Sequence, residues 1–177
     1  MLVTAAQMRE LDRRTIELGT PGAVLMERAG AGIVERLLAR HRASCARGVV
    51  VVCGRGNNGG DGFVVARLLK KRGHDCCVVL LGRRDQLTGD ARQSADRWAR
   101  VRGRVIELER LDERAAADLA RRLARAGVIV DAIFGTGLAR PVEGLAAQLV
   151  AAIDGAATAG GASEADGEAG AARRAKR

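Results

Sequence analysis

The sequence predicts an α/β fold of the Rossmann-like kind, three layers (α/β/α) around a parallel sheet, with two helices ahead of the first strand. Three observations carry this expectation. Apolar runs of strand length alternate along the chain with stretches of helical periodicity. The runs are largely apolar instead of strictly alternating, as in strands covered on both faces. A glycine-rich loop follows the first run and leads into a helical pattern.

The elements follow in order. Thr4 with Gln7 three residues on is a capping-box start, and Met8, Leu11, Ile16 and Leu18 trace a stripe up to Gly19, so a first helix is expected from Thr4 to Leu18. Pro21 suits the first turn of a second helix, whose expected inner face is Leu25, Ala29, Ile33 and Leu37. Val49 to Cys53 reads as the first strand, Val64 to Arg72 as the helix beyond the glycine loop, and Cys76 to Leu81 as the second strand after Gly73. Thr88 to Val101 is the next expected helix, with Ala91, Ala95 and Trp98 on one side. Val105 to Leu108 is a short third strand, Asp112 caps a helix carrying Leu119 and Leu123, and Val128 to Ile133 is the fourth strand. Pro141 to Ile153 is the last expected helix. From Asp154 to Arg177 the chain has no Val, Ile, Leu, Met or aromatic residue, so residues 1–153 are expected to form one domain and 154–177 a disordered Ala/Gly-rich tail.

Composition narrows the function classes. The chain has 177 residues and a net charge of +9, but its basic residues are almost all arginines scattered over every expected helix, which is the pattern of solvated faces and not of a polyanion patch. Phe63, Trp98 and Phe134 are the whole aromatic set, too few for the stacking platforms of single-strand nucleic-acid binders. No nucleic acid is expected as a partner. No apolar stretch approaches the roughly 20 residues of a membrane span, and the first residues lack a secretory layout, so a cytoplasmic location and no membrane partner are expected. Cys45, Cys53, Cys76 and Cys77 form no CxxC pair and read as buried free thiols; His41 and His74 lie near no cysteine cluster, which argues against zinc.

The chemistry concentrates in two loops. The first, Gly54-Arg55-Gly56-Asn57-Asn58-Gly59-Gly60-Asp61-Gly62, contains GxGxxG, but the end of the second expected strand offers Gly82, Arg83 and Arg84 where a dinucleotide fold wants an acid, and no Lys-Ser or Lys-Thr makes it a P-loop. Asp61 is a misfit for a pyrophosphate loop, because a carboxylate at a helix start repels the anion that bare N–H groups attract. Asn57, Asn58 and Asp61 instead offer side-chain oxygens to hydroxyl groups or a cation; the alternative is a tight turn with Asp61 as the helix cap. The second loop places Asp131 near a strand end and then Gly135-Thr136-Gly137-Leu138-Ala139-Arg140-Pro141. Loops at the carboxyl ends of parallel strands share one edge, so the two can form one crevice. Asp131 also reads as a strand-end residue bonding backbone amides, and Arg140 as an ordinary exposed arginine.

Three blocks, Leu25-Met26-Glu27-Arg28-Ala29-Gly30, Val52-Cys53-Gly54 through Gly62-Phe63, and Asp131-Ala132-Ile133-Phe134-Gly135-Thr136-Gly137, resemble in order and spacing the NAD(P)H-hydrate epimerase family, the YjeF N-terminal domain. The resemblance covers about Thr4 to Ile153. It implies an isomerase of metabolite repair that interconverts the S and R epimers of hydrated NADH or NADPH (NADHX, NADPHX) so that a dehydratase can restore the cofactor. It implies that Asn57, Asn58, Gly59, Gly60 and Asp61 bind the substrate from one side and Gly135, Thr136, Gly137, Leu138, Ala139, Arg140 and Pro141 from the other. Asn58 and Asp131 would ligate K+.

The family pattern also has a Val-Asp-Ile-Pro-Ser-Gly-type segment bearing the expected acid or base and a further potassium ligand, and no such segment occurs in these 177 residues. The catalytic residue is therefore unassigned, and the chain reads as an epimerase domain interrupted before that segment, with weakened catalysis. The alternative is a noncatalytic nucleotide- or partner-binding module on the same fold. An unpaired fourth strand predicts self-association into a homo-oligomer.

Overall fold

Four strands, β1 (Val49–Cys53), β2 (Cys76–Leu81), β3 (Arg104–Leu108) and β4 (Val128–Ala132), pair in the order β3-β2-β1-β4, every pair parallel. The computed structural model describes residues 3–138 and 141–158. Central β1 is Val-Val-Val-Val-Cys and is buried along its whole length, so both of its faces are covered; Val51 stands in register with Val78 of β2 and Val130 of β4. Edge strand β4 is only partly buried until Ala132. This is the Rossmann-like α/β fold expected, a parallel sheet flanked by helices.

The helices are α1 (Ala5–Glu17), α2 (Gly22–Ala46), α3 (Asn57–Lys71), α4 (Gly89–Arg100), α5 (Glu113–Arg125) and α6 (144–158). The expected capping box closes at α1: the Gln7 amide donates to Thr4 Oγ1 at 3.2 Å and the Thr4 amide to Gln7 Oε1 at 2.8 Å. Asp112 caps α5, accepting from the Ala115 amide at 2.9 Å. The described residues fall into two compact units, one holding α1 to α4 with the whole sheet, the other holding α5 and α6. In the first unit α2, α3 and α4 pack together, and α3 lies on β1, β2 and β4. Their shared core includes Val34, Leu38, Phe63, Val65, Leu69 and Trp98 with the strand residues Val51, Cys53, Val78 and Leu80. In the second, Leu119, Leu123 and Leu149 are buried.

Three boundaries and one face differ from the sequence expectation. Helix α3 begins at Asn57, not near Val64, because Gly56 in an extended conformation serves as its N-cap; Asn57 to Gly62 are its first turns, and the loop proper is Gly54 to Gly56. Helix α6 begins at 144 and continues to 158, past Ile153; the rest of the expected tail, 159–177, lies outside the described residues. Helix α2 runs to Ala46 with a non-helical kink at His41. Its buried face is Met26, Gly30, Val34 and Leu38, one residue on from the expected stripe, and Ile33 is exposed. Both i, i+4 rows are apolar, and the row containing Gly30 wins because only a glycine lets α2 close on Val64 of α3. The four cysteines are free and buried, as expected. Among the described residues no helix is long and apolar enough to cross a membrane.

Candidate functional site

The site is built at the carboxyl edge of β1 and β4, where the chain leaves each strand toward the same place. The Gly54 amide donates to the Ala132 carbonyl at 3.0 Å, extending the β1–β4 ladder one residue beyond the strands and holding the two loops side by side. The glycines there serve close approach: none of Gly54, Gly56, Gly59, Gly60 or Gly62 has a left-handed φ. A Cβ on Gly54 would enter the Ile133 carbonyl, and one on Gly59 would enter the Gly54 carbonyl. So the first turn of α3 folds back directly onto the strand end. Gly62 sits against Cys53 and Ala132 and brings α3 down on both strands.

The first of the three sequence blocks supports the second. Met26 of α2 packs on Gly60, with its sulfur 2.7 Å from where a Cβ would stand, and Gly30 packs on Val64. Glu27 receives the guanidinium of Arg67 from α3 and, at 2.9 Å, that of Arg97 from α4. Arg67 is almost wholly buried, so this charge pair fixes three helices behind the loop.

The third block meets the second through Asn58. Its Nδ2 donates to the Phe134 carbonyl at 2.9 Å, and its Cβ lies 3.2 Å from where a side chain on Gly135 would begin. With Nδ2 committed, Oδ1 is the oxygen left to a ligand. Gly135, Thr136, Gly137 and Leu138 are exposed, and a Leu138 N–H to Gly135 carbonyl bond of 3.3 Å closes the turn. Asp131 stands opposite Val52 in the ladder, on the sheet face away from α3, and its Oδ1 accepts from the Ile133 amide at 2.9 Å. The backbone-bonding reading of Asp131 thus holds, with its second oxygen outside that bond. Pro141 is exposed, and Ala139 and Arg140 lie outside the described residues.

Asp61 corrects another expectation. It sits inside the first turns of α3, not at its cap, which is Gly56. It is partly buried, and burial first, the Asp12 charge second, push its carboxyl up to about 6. Helix α1 reaches the site as well: Arg9 Nη1 donates to the Thr136 carbonyl at 2.8 Å. Arg9 and Asp12 are not among the site residues expected from the sequence; the one signal for them is their i, i+3 spacing on a helix whose apolar stripe is weak. Among the described residues no three of His, Cys, Asp and Glu gather as metal ligands.

The model of the family described as YjeF-related protein N-terminus matches residues 22–160. A Rhodobacter capsulatus protein named NAD(P)H-hydrate epimerase is 43% identical over 149 residues, 81% of this chain and 66% of its own length. The Limosilactobacillus fermentum protein of the same name is 37% identical, covering 87% of this chain and 68% of itself. A Moorella thermoacetica bifunctional NAD(P)H-hydrate repair enzyme is 42% identical over 84% of this chain but only 28% of its own length. The chain thus spans about two thirds of the single-function relatives and under a third of the bifunctional one. Among solved structures, that of yeast ynu0 (YNL200c) superposes with a TM-score of 0.72 over 86% of this chain and 64% of that one; at 24% identity it speaks for the fold alone.

Proposed function

We propose that this chain, which belongs to the YjeF-related protein N-terminus family, carries the substrate site of an NAD(P)H-hydrate epimerase, an isomerase acting in repair of the nicotinamide cofactors. One observation supports this reading above the others: the Asn58 bond to the Phe134 carbonyl, which ties the two loops into one crevice. Within it Asn57 to Asp61 hold the hydrated ring and its sugar from one side and Gly135 to Pro141 from the other. Burial raises the Asp61 carboxyl to about 6, so at and below about pH 6 it can donate to a ligand hydroxyl as well as accept from one, whereas above that pH it accepts only. That explains an acid in a loop that would otherwise suit a pyrophosphate.

Asn58 Oδ1 in the first turn of α3 and the Asp131 carboxylate near the end of β4 are hard oxygen donors, and this donor chemistry fits K+ better than a nitrogen- or sulfur-seeking metal. When bound, potassium supplies fixed positive charge at the crevice. The substrates are NADHX and NADPHX, and the product passes to a dehydratase, a coupling in keeping with the bifunctional name of the Moorella relative. The setting is the cytoplasm, and the exposed edge of β4 favours a homo-oligomer.

The test is twofold. Calorimetry should rank hydrated NAD(P)H above the intact cofactors; intact NADH binding most tightly would overturn the hydrate reading in favour of an ordinary dinucleotide site. Chromatographic separation of the epimers over time should show these 177 residues working close to the spontaneous rate. A version extended by a strand ending in Asp-Ile-Pro-Ser-Gly should gain about 100- to 10,000-fold, the contribution of a positioned acid or base. Brisk potassium-stimulated equilibration by the 177-residue chain would instead place the catalytic group among the residues described above.

A further inference from the structure

Helix α1 buries no side chain, yet it reaches the second loop. Arg9 bonds the Thr136 carbonyl across 127 residues of sequence, and one turn further along α1 the charge of Asp12 is felt at Asp61. The i, i+3 spacing puts Arg9 and Asp12 on one face of α1, the cation bonded to the second loop and the carboxylate acting on Asp61. The other arginines of α1 are tied to carboxylates: Arg13 to Glu10 and Glu17, and Arg14 to Glu10 at 2.6 Å. Among the described residues Arg9 alone on this helix has no carboxylate partner, and one contact to a neutral carbonyl leaves four of its five N–H donors for something else. The segment matched by the family model begins at residue 22, after α1 has ended.

We propose that Arg9 is a specificity-determining residue of the substrate site, its guanidinium taking a phosphate group of the dinucleotide while Nη1 holds the second loop through Thr136. The inference rests on the hydrate-site reading and deepens it by giving the ligand a direction. The carboxyl end formed by Asp12 and Asp61 repels phosphate and receives hydroxyl groups, and the anionic end of the ligand lies toward Arg9 and the uncapped amides at the start of α3. A guanidinium matches phosphate in planar, two-pronged geometry, which a lysine at the same place would not.

The experiment uses the full chain and its Arg9→Ala and Arg9→Lys variants, titrated with NADPHX, NADHX, the phosphate-free hydrated nicotinamide riboside, and pyrophosphate alone. Arg9 is exposed, so thermal unfolding of the variants should match the wild type. Losing charge-assisted bonds to a phosphate should weaken NADHX and NADPHX about 10- to 100-fold in Arg9→Ala, with Arg9→Lys intermediate, while the riboside, which loses only the loop contact, weakens about 3-fold or less. Equal weakening of the riboside would make Arg9 a loop-positioning residue only, and unchanged binding of every ligand would remove it from the site; either result overturns the proposal. If wild type binds pyrophosphate but no hydrate, and Arg9→Ala loses the pyrophosphate, then the hydrate reading fails while the anion site stands. If wild type binds hydrate and Arg9→Ala binds it equally well, the reverse holds.

Discussion

The two loops of the crevice are held in opposite ways. The first, from β1 into α3, is fixed by packing: Gly54 and Gly59 touch through bare backbone, and Met26 and Glu27 brace the helix from behind. The second, after β4, is exposed from Phe134 to Leu138 and hangs on polar contacts from Asn58 and Arg9. The lesson is a division of labour. The half that presents backbone and carboxyl at fixed positions is built into the core. The exposed half is tethered by a few replaceable hydrogen bonds.

The sharpest way to break the comparison is at the glycines. Gly59→Ala should destabilise by roughly 3 kcal/mol or prevent folding, since the new methyl group meets rigid backbone, not a yielding side chain. Gly56→Ala, where a Cβ meets open space, should unfold in denaturant close to wild type. A smaller effect is expected behind the loop. Val34→Ala on the buried face of α2 should cost about 1 to 3 kcal/mol, and Ile33→Ala on its exposed neighbour under about 0.5 kcal/mol. Equal costs would mean that α2 is rotated relative to the structure.

Next comes the tether. Asn58→Ala removes the bond to the Phe134 carbonyl and should cost about 1 kcal/mol, with hydrogen exchange rising at residues 135–138 and not in β1. The smallest effect is the titration of Asp61. Its folded pKa of about 6 lies above the ordinary 3.8, so the folded state binds its proton more tightly. The stabilising contribution is complete below about pH 4 and is lost as pH rises to about 6. Asp61→Asn should therefore gain thermal stability over wild type across that window and hold the gain above it. Partial exposure keeps the gain modest.

Much of this was legible in the sequence because its signals are local. The apolar strands β1 and β2, the Thr4–Gln7 capping box, the Asp112 cap and Gly73 after α3 each fix backbone through neighbouring residues. What the sequence hides is tertiary. Two apolar rows on α2 are equivalent until Gly30 meets Val64, and local pattern cannot choose between them. The start of α3 reads late in the sequence because glycines and asparagines are poor helix formers, and here packing on β1 and β4 overrides propensity. The roles of Arg9 and Asp12 depend on where α1 lies relative to strands 120 residues away, which no local pattern encodes. Asp131 was placed correctly at the strand end, but only the ladder register shows that it faces away from α3.

The central claim is that these two differently held loops form one site for one ligand. Amide NMR of the 177-residue chain during titration with NADHX tests it directly. The account predicts saturable shifts of residues 54–62 and of 134–138 with a single shared affinity, the second set broadening and then sharpening as the tethered loop is ordered. Shifts confined to one loop, or two loops saturating at different concentrations, would contradict it.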